Sequence, residues 1–143
     1  MQAANKTTIP AYIAGILKQY EGIAVEINHM ETGSDQYGLY RSPGRNKKDF
    51  TDGSYEVTEH FQFYARQSAI SVDERKETDE WLEDLTYWVD DYPFLYGFPE
   101  LDQRREVTDL SITGAPYVAD SESGDVLYQM AVSITYIRER EGL

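Results

Sequence analysis

The chain reads as a single α+β domain over residues 1–143, an antiparallel or mixed β-sheet with two α-helices packed on one face. Three observations lead there. A length of 143 residues is that of one ordinary domain, which buries roughly two-thirds of the surface its unfolded form exposes. Two segments, one early and one central, repeat apolar residues at helical spacing, whereas others alternate apolar and polar residues with the period of a half-buried strand. Those strand-like segments are joined largely by turn formers, a pattern that favours helices on one face of a sheet.

Taken in order, Thr8-Ile9-Pro10 opens the first helix with a hydroxyl cap and a first-turn proline. Ile9, Ile13, Ile16, Leu17 and Tyr20 recur on one face and Gly22 supplies a stop, which predicts a helix over 9–21. Ile23, Val25 and Ile27 alternate with Ala24, Glu26 and Asn28 as a short strand. Residues 31–54 are rich in turn formers, among them Gly33, Ser34, Asp35, Gly38, Pro43, Gly44 and Gly53, and only Tyr37, Leu39 and Tyr40 suggest extended structure. A long flexible loop is expected there.

Tyr55, Val57, Glu59, Phe61, Phe63 and Ala65 occupy one face of a central strand. Ser71-Val72-Asp73-Glu74 reads as the capping box of a second helix, with Trp81, Leu82, Leu85, Trp88, Val89 and Tyr92 on one side and Pro93 as its end. An aromatic, proline-containing connection leads to a strand carrying Val107, Leu110 and Ile112. Tyr117-Val118-Ala119 is extended, Ser121 to Asp125 is a turn, and Val126 to Ile137 alternate as the last strand.

Composition narrows the function. With 12 Tyr, 5 Phe and 2 Trp, a chain of modest apolar content can build its core from large side chains. The absence of cysteine removes disulfides, thiolate metal sites and cysteine nucleophiles. The first eight residues are polar and no uncharged run approaches the roughly 20 residues of a membrane span. We therefore expect a soluble protein, assembled inside the cell, with no membrane partner. A formal net charge of −13 disfavours ordinary DNA binding. Surplus carboxylates serve solubility, or form a surface past which DNA moves without adhering.

No phosphate-cradling, dinucleotide-binding or serine-nucleophile motif is present. His29 and His60 each have glutamates close in sequence (Glu26 and Glu31; Glu56 and Glu59), so a metal or general-base role is conceivable, but solvated or packed strand histidines explain them more simply. Nine carboxylates lie between Asp73 and Asp91, and Glu77, Glu80, Asp84 and Asp91 form a stripe off the apolar face. Glycoside hydrolysis or magnesium binding needs buried or convergent acids, so a solvated face or an electrostatic surface is expected instead. Arg41, Arg45, Lys47 and Lys48 cluster in the expected loop, where pairing with a neighbouring copy's acidic surface suits an acidic protein better than nucleic acid does. The residues thus point to no enzyme and no cofactor.

Several stretches resemble the minor capsid proteins of tailed phages and prophages of Gram-positive bacteria, which are similar in turn to tail-terminator and tail-completion (head-tail joining) proteins. They are Gly53-Ser54-Tyr55-Glu56-Val57 leading into Phe61-Gln62-Phe63, then Trp81-Leu82, Leu85 and Trp88-Val89, and above all Tyr128-Gln129-Met130-Ala131-Val132-Ser133-Ile134-Thr135-Tyr136. The resemblance covers about Gly53 to the C-terminus. It implies a sheet with two flanking helices, no cofactor and assembly as a ring, often hexameric, in the head-tail region of a virion. Other head-tail or tail-tube proteins would be partners, and DNA only passing cargo. The competing readings are a monomeric acidic binding module, such as a DNA-mimic inhibitor, and a small metal-dependent hydrolase using His29, His60 and nearby acids.

Overall fold

The computed structural model describes residues 6–33, 35–68, 71–122 and 125–140. Its elements are α1 (Ile9–Leu17), β1 (Val25–Ile27), β2 (Gln36–Asp49), β3 (Tyr55–Ser68), α2 (Val72–Leu95), β4 (Arg105–Ile112), β5 (Tyr117–Glu122) and β6 (Asp125–Arg138). The strands make one mixed sheet of order β1-β2-β3-β6-β4. In it β1 runs parallel to β2, the other pairings are antiparallel, and β5 lies along the β4 side of β6. The α+β class with a single mixed sheet is as expected.

β3 and β6 form the spine, paired without a slip from Tyr55–Arg138 to Ser68–Asp125. Because side chains alternate with a period of two, this register brings the apolar residues of both strands to one face. Tyr55, Val57, Phe61, Phe63 and Ala65 join Val126, Tyr128, Met130, Val132, Ile134 and Tyr136 in a core with Ile13 and Leu17 of α1 and Leu82, Leu85 and Val89 of α2. Both helices therefore cover the same face. Each fully buried large apolar side chain contributes about 1.5–3 kcal/mol. On β4, Val107 and Leu110 both reach the core although three positions apart, because the strand bulges between Val107 and Asp109.

Three expectations change. From Gln36 to Asp49 the expected loop is a fourteen-residue strand paired along β3. Three of its turn formers collect in one irregularity: Arg41 faces Phe61 and Arg45 faces Glu59, so Ser42-Pro43-Gly44 bulge opposite His60. Local composition opposes a strand, but hydrogen bonds and packing from the partner strand override it. Second, Pro93 does not end α2. In the last turn a missing N–H costs one bond, and the helix closes at Gly97 (φ +70), whose N–H donates to the Pro93 carbonyl at 3.2 Å. Third, α1 ends at Leu17 and continues as tight turns, with Gln19 and Tyr20 N–H groups bonding three residues back.

The caps are as expected. Thr8 accepts from the Ala11 N–H, and Ser71 from the Glu74 N–H at 3.1 Å. Of the expected turn near residue 123, Ser123 and Gly124 lie outside the described residues, as does Ser34 of the expected loop; Glu122 and Asp125 are paired. Asp102 ties down the approach to α1, accepting from the Thr7 N–H at 2.9 Å, while Arg105 donates to the Thr7 carbonyl at 2.7 Å. Among the described residues no helix is long and apolar enough to cross a membrane.

Candidate functional site

The face of the sheet away from the helices is polar at its centre and aromatic towards one end. Thr58 and Thr135 share a hydrogen bond of 2.9 Å, as do His60 Nδ1 and Ser133 Oγ at 2.8 Å. Gln129 donates to Gln62 at 2.7 Å, and Gln62 to Ser42 at 3.0 Å. Beyond these, a groove of about 600 Å³ is lined by Met30, Tyr40, Pro43, Tyr64, Arg66 and Leu127, together with the glutamines. Gly38 makes this geometry possible. A Cβ there would stand 2.9 Å from the His29 carbonyl oxygen and 3.1 Å from the Tyr40 ring, so its absence lets the 28–33 connection and Tyr40 close over the strand. The Tyr40 and Tyr64 rings meet edge to face at 5.4 Å.

Arg66 is the unusual member of that lining. Its Nε is buried and has no hydrogen-bond partner among the described residues. A buried donor left unpaired costs roughly 1–3 kcal/mol; the rest of the side chain is only half-buried and puts a cation in the groove wall.

Of the four basic residues of β2, Arg41 lines this groove and the other three follow it along the strand. β1 covers β2 only from Tyr37 to Leu39, which leaves the outer edge of β2 from Tyr40 onward without a strand partner among the described residues. Arg41, Arg45, Lys47 and Lys48 sit on that stretch and are exposed. They are held in place rather than waiting for a partner to order them. Arg41 pairs with buried Glu59 and lies over the Phe61 ring. Glu59 also accepts from the Tyr136 hydroxyl at 2.7 Å. Burial, with that bond to Glu59, pushes the Tyr136 hydroxyl up to about 12, against the opposing effect of a bond to Arg45. Lys47 lies 3.4 Å from Asp49 and over the Tyr55 ring, and Lys48 over Phe50. Lysines, a proline and a bulge on an open edge discourage indiscriminate strand pairing, yet leave positive charge for an acidic partner.

On the opposite side, Glu77, Glu80, Asp84 and Asp91 are all exposed along α2, as the stripe predicts. What the sequence did not reveal is the helix end. Phe94 is 89% exposed, Leu95 66% and Tyr96 64%, with exposed Asp90 and Asp91 just before them. Large apolar groups displayed together on a charged protein mark a contact surface.

The histidines are not brought into one site. His60 is bonded to Ser133 on the outer face, whereas Glu59, its neighbour in sequence, points to the core face because strand residues alternate. His29 Nε2 lies 3.0 Å from Glu31 and 3.6 Å from Glu26, and the three could offer ligand atoms to a metal ion. All three are exposed, and the hydrogen bond that the imidazolium donates to Glu31 holds the His29 pKa above its usual value.

Compared with known proteins, the chain matches no family model and no curated protein. What it does must then follow from its own surfaces.

Proposed function

We propose that the chain is a structural subunit of a tailed phage or prophage particle, acting in head-tail joining or tail completion by closing with copies of itself into a ring. One observation supports this above the others: opposite charges are segregated on one small domain. The exposed carboxylates of α2 lie on the helical side, and the cations Arg41, Arg45, Lys47 and Lys48 lie along the open edge of β2. A subunit carrying both halves of a complementary pair in different places binds head to tail, and such contacts close into rings when the rotation permits. Neighbouring head-tail or tail-tube proteins complete the assembly, and Glu77, Glu80 and Asp84, on α2 before the end that carries Asp91, suit a bore through which DNA passes as cargo.

Two measurements test the reading. Mass determined at rising concentration should show a discrete oligomer. Disrupting the gene in a producing lysogen should leave heads and tails unjoined in micrographs, whereas intact infectious particles would exclude a role in the particle. The exposed acidic flank of α2 also favours a second reading, a monomeric DNA mimic, which a strictly monomeric chain displacing DNA from a basic protein would establish.

A further inference from the structure

We infer that neighbouring copies meet by insertion of the aromatic end of α2 on one chain, Phe94-Leu95-Tyr96, into the outer-face groove of the next, where Asp90 or Asp91 reaches Arg66. This rests on the self-assembly reading and names its contact. The groove has aromatic and apolar walls, Tyr40, Tyr64, Met30, Pro43 and Leu127, and two guanidinium side chains, Arg41 and half-buried Arg66, in the same lining. Its occupant must therefore offer an apolar body and a carboxylate together. The end of α2 offers both: three large apolar side chains that are more than 60% exposed, one turn after two exposed aspartates.

The two surfaces cannot meet within one chain. α2 packs on the face formed by Phe61, Phe63 and Met130, whereas the groove is lined by Gln62, Tyr64, Arg66, Leu127 and Gln129, which point the other way. The contact is thus heterologous, each copy giving its helix end to one neighbour and its groove to another. Buried aromatics cover about 150–250 Å² each. Phe94 and Tyr96 together would supply close to half of the roughly 800 Å² that a stable contact buries on each partner. Arginine and aromatic residues are also the side chains that most often anchor such contacts. Arg41 lines the groove, and Arg45, Lys47 and Lys48 further along β2 would steer the acidic helix towards that edge.

The test uses the full chain and sedimentation velocity. Phe94→Glu changes an exposed side chain and Arg66→Glu reverses a charge in the groove wall, with Tyr64→Ala as a second groove variant; circular dichroism checks that each folds. Each variant alone should weaken self-association by about thirtyfold or more, as loss of an anchor residue does. Because the contact is heterologous, a mixture of Phe94→Glu and Arg66→Glu chains should form a one-to-one dimer that grows no further, joined through the groove and helix end that remain intact. Oligomers that persist in all three variants would overturn this contact while leaving the ring reading standing. A wild-type chain that stays monomeric at every concentration would overturn both.

Discussion

Among the described residues, Glu59 is the charged side chain that the alternation of β3 turns into the core, and its company decides whether that is tolerable. Arg41 neutralises one oxygen and the Tyr136 hydroxyl bonds the other. Arg41→Ala would leave a buried carboxylate with one partner, and we expect a loss of about 1–3 kcal/mol in urea unfolding. An unchanged midpoint would show that Tyr136 alone suffices. Asp102 yields a pH prediction. The bond from the Thr7 N–H, and then Arg105, hold its carboxyl below the usual value of 3.8. A group whose folded pKa is depressed stabilises above its ordinary value, and that contribution fades as pH falls through the lower one. Asp102→Asn should therefore flatten the acid limb of the stability profile from about pH 4 downward, measured as unfolding midpoints across pH. His29 runs in the opposite sense: Glu31 raises it, so its contribution is present in acid and fades as pH rises.

At the scale of elements, α2, β3 and β6 were legible because each carries its own periodicity. Their caps and alternating faces need no distant partner to be recognised. β2 was not legible. Gly38, Ser42, Pro43 and Gly44 signal turns locally, and only the facing edge of β3, which accommodates three of them as a bulge, makes them a strand. Gly38 tests how tightly β1 and β2 are fitted. In Gly38→Ala the new methyl would meet the His29 carbonyl and the Tyr40 ring, both within 3.1 Å of its carbon. We expect about 1–3 kcal/mol of destabilisation from such overpacking. Hydrogen exchange should quicken at Val25–Ile27 and at the Asn28 amide, which bonds the Leu39 carbonyl, and should leave β3 unchanged.

For the whole molecule, two electrostatic effects compete when copies meet. Each chain carries a formal −13, which repels its neighbours at long range. The α2 carboxylates and β2 cations attract across the contact. At about 0.01 M salt the screening length is about 30 Å, the size of a small domain, and net repulsion wins; at about 0.15 M it is about 8 Å, and only groups across the contact still interact. Near 1 M even those are screened. Self-association should consequently pass through a maximum at intermediate salt, read as weight-average mass along a salt series. A monotonic rise would show that the segregated charges contribute no attraction.

Sequence alone determined the helix caps, the two long amphipathic patterns, the acidic flank of α2 and the cluster of four cations, because each depends on residues within a turn or a strand of one another. The tertiary structure decided the rest. It placed the cations on an open strand edge, set Arg66 in a groove with its Nε unbonded among the described residues and exposed Phe94, Leu95 and Tyr96 at a helix end. Whether a buried donor is paired, or an aromatic ring is covered, depends on chain segments distant in sequence, and a linear pattern carries no record of them.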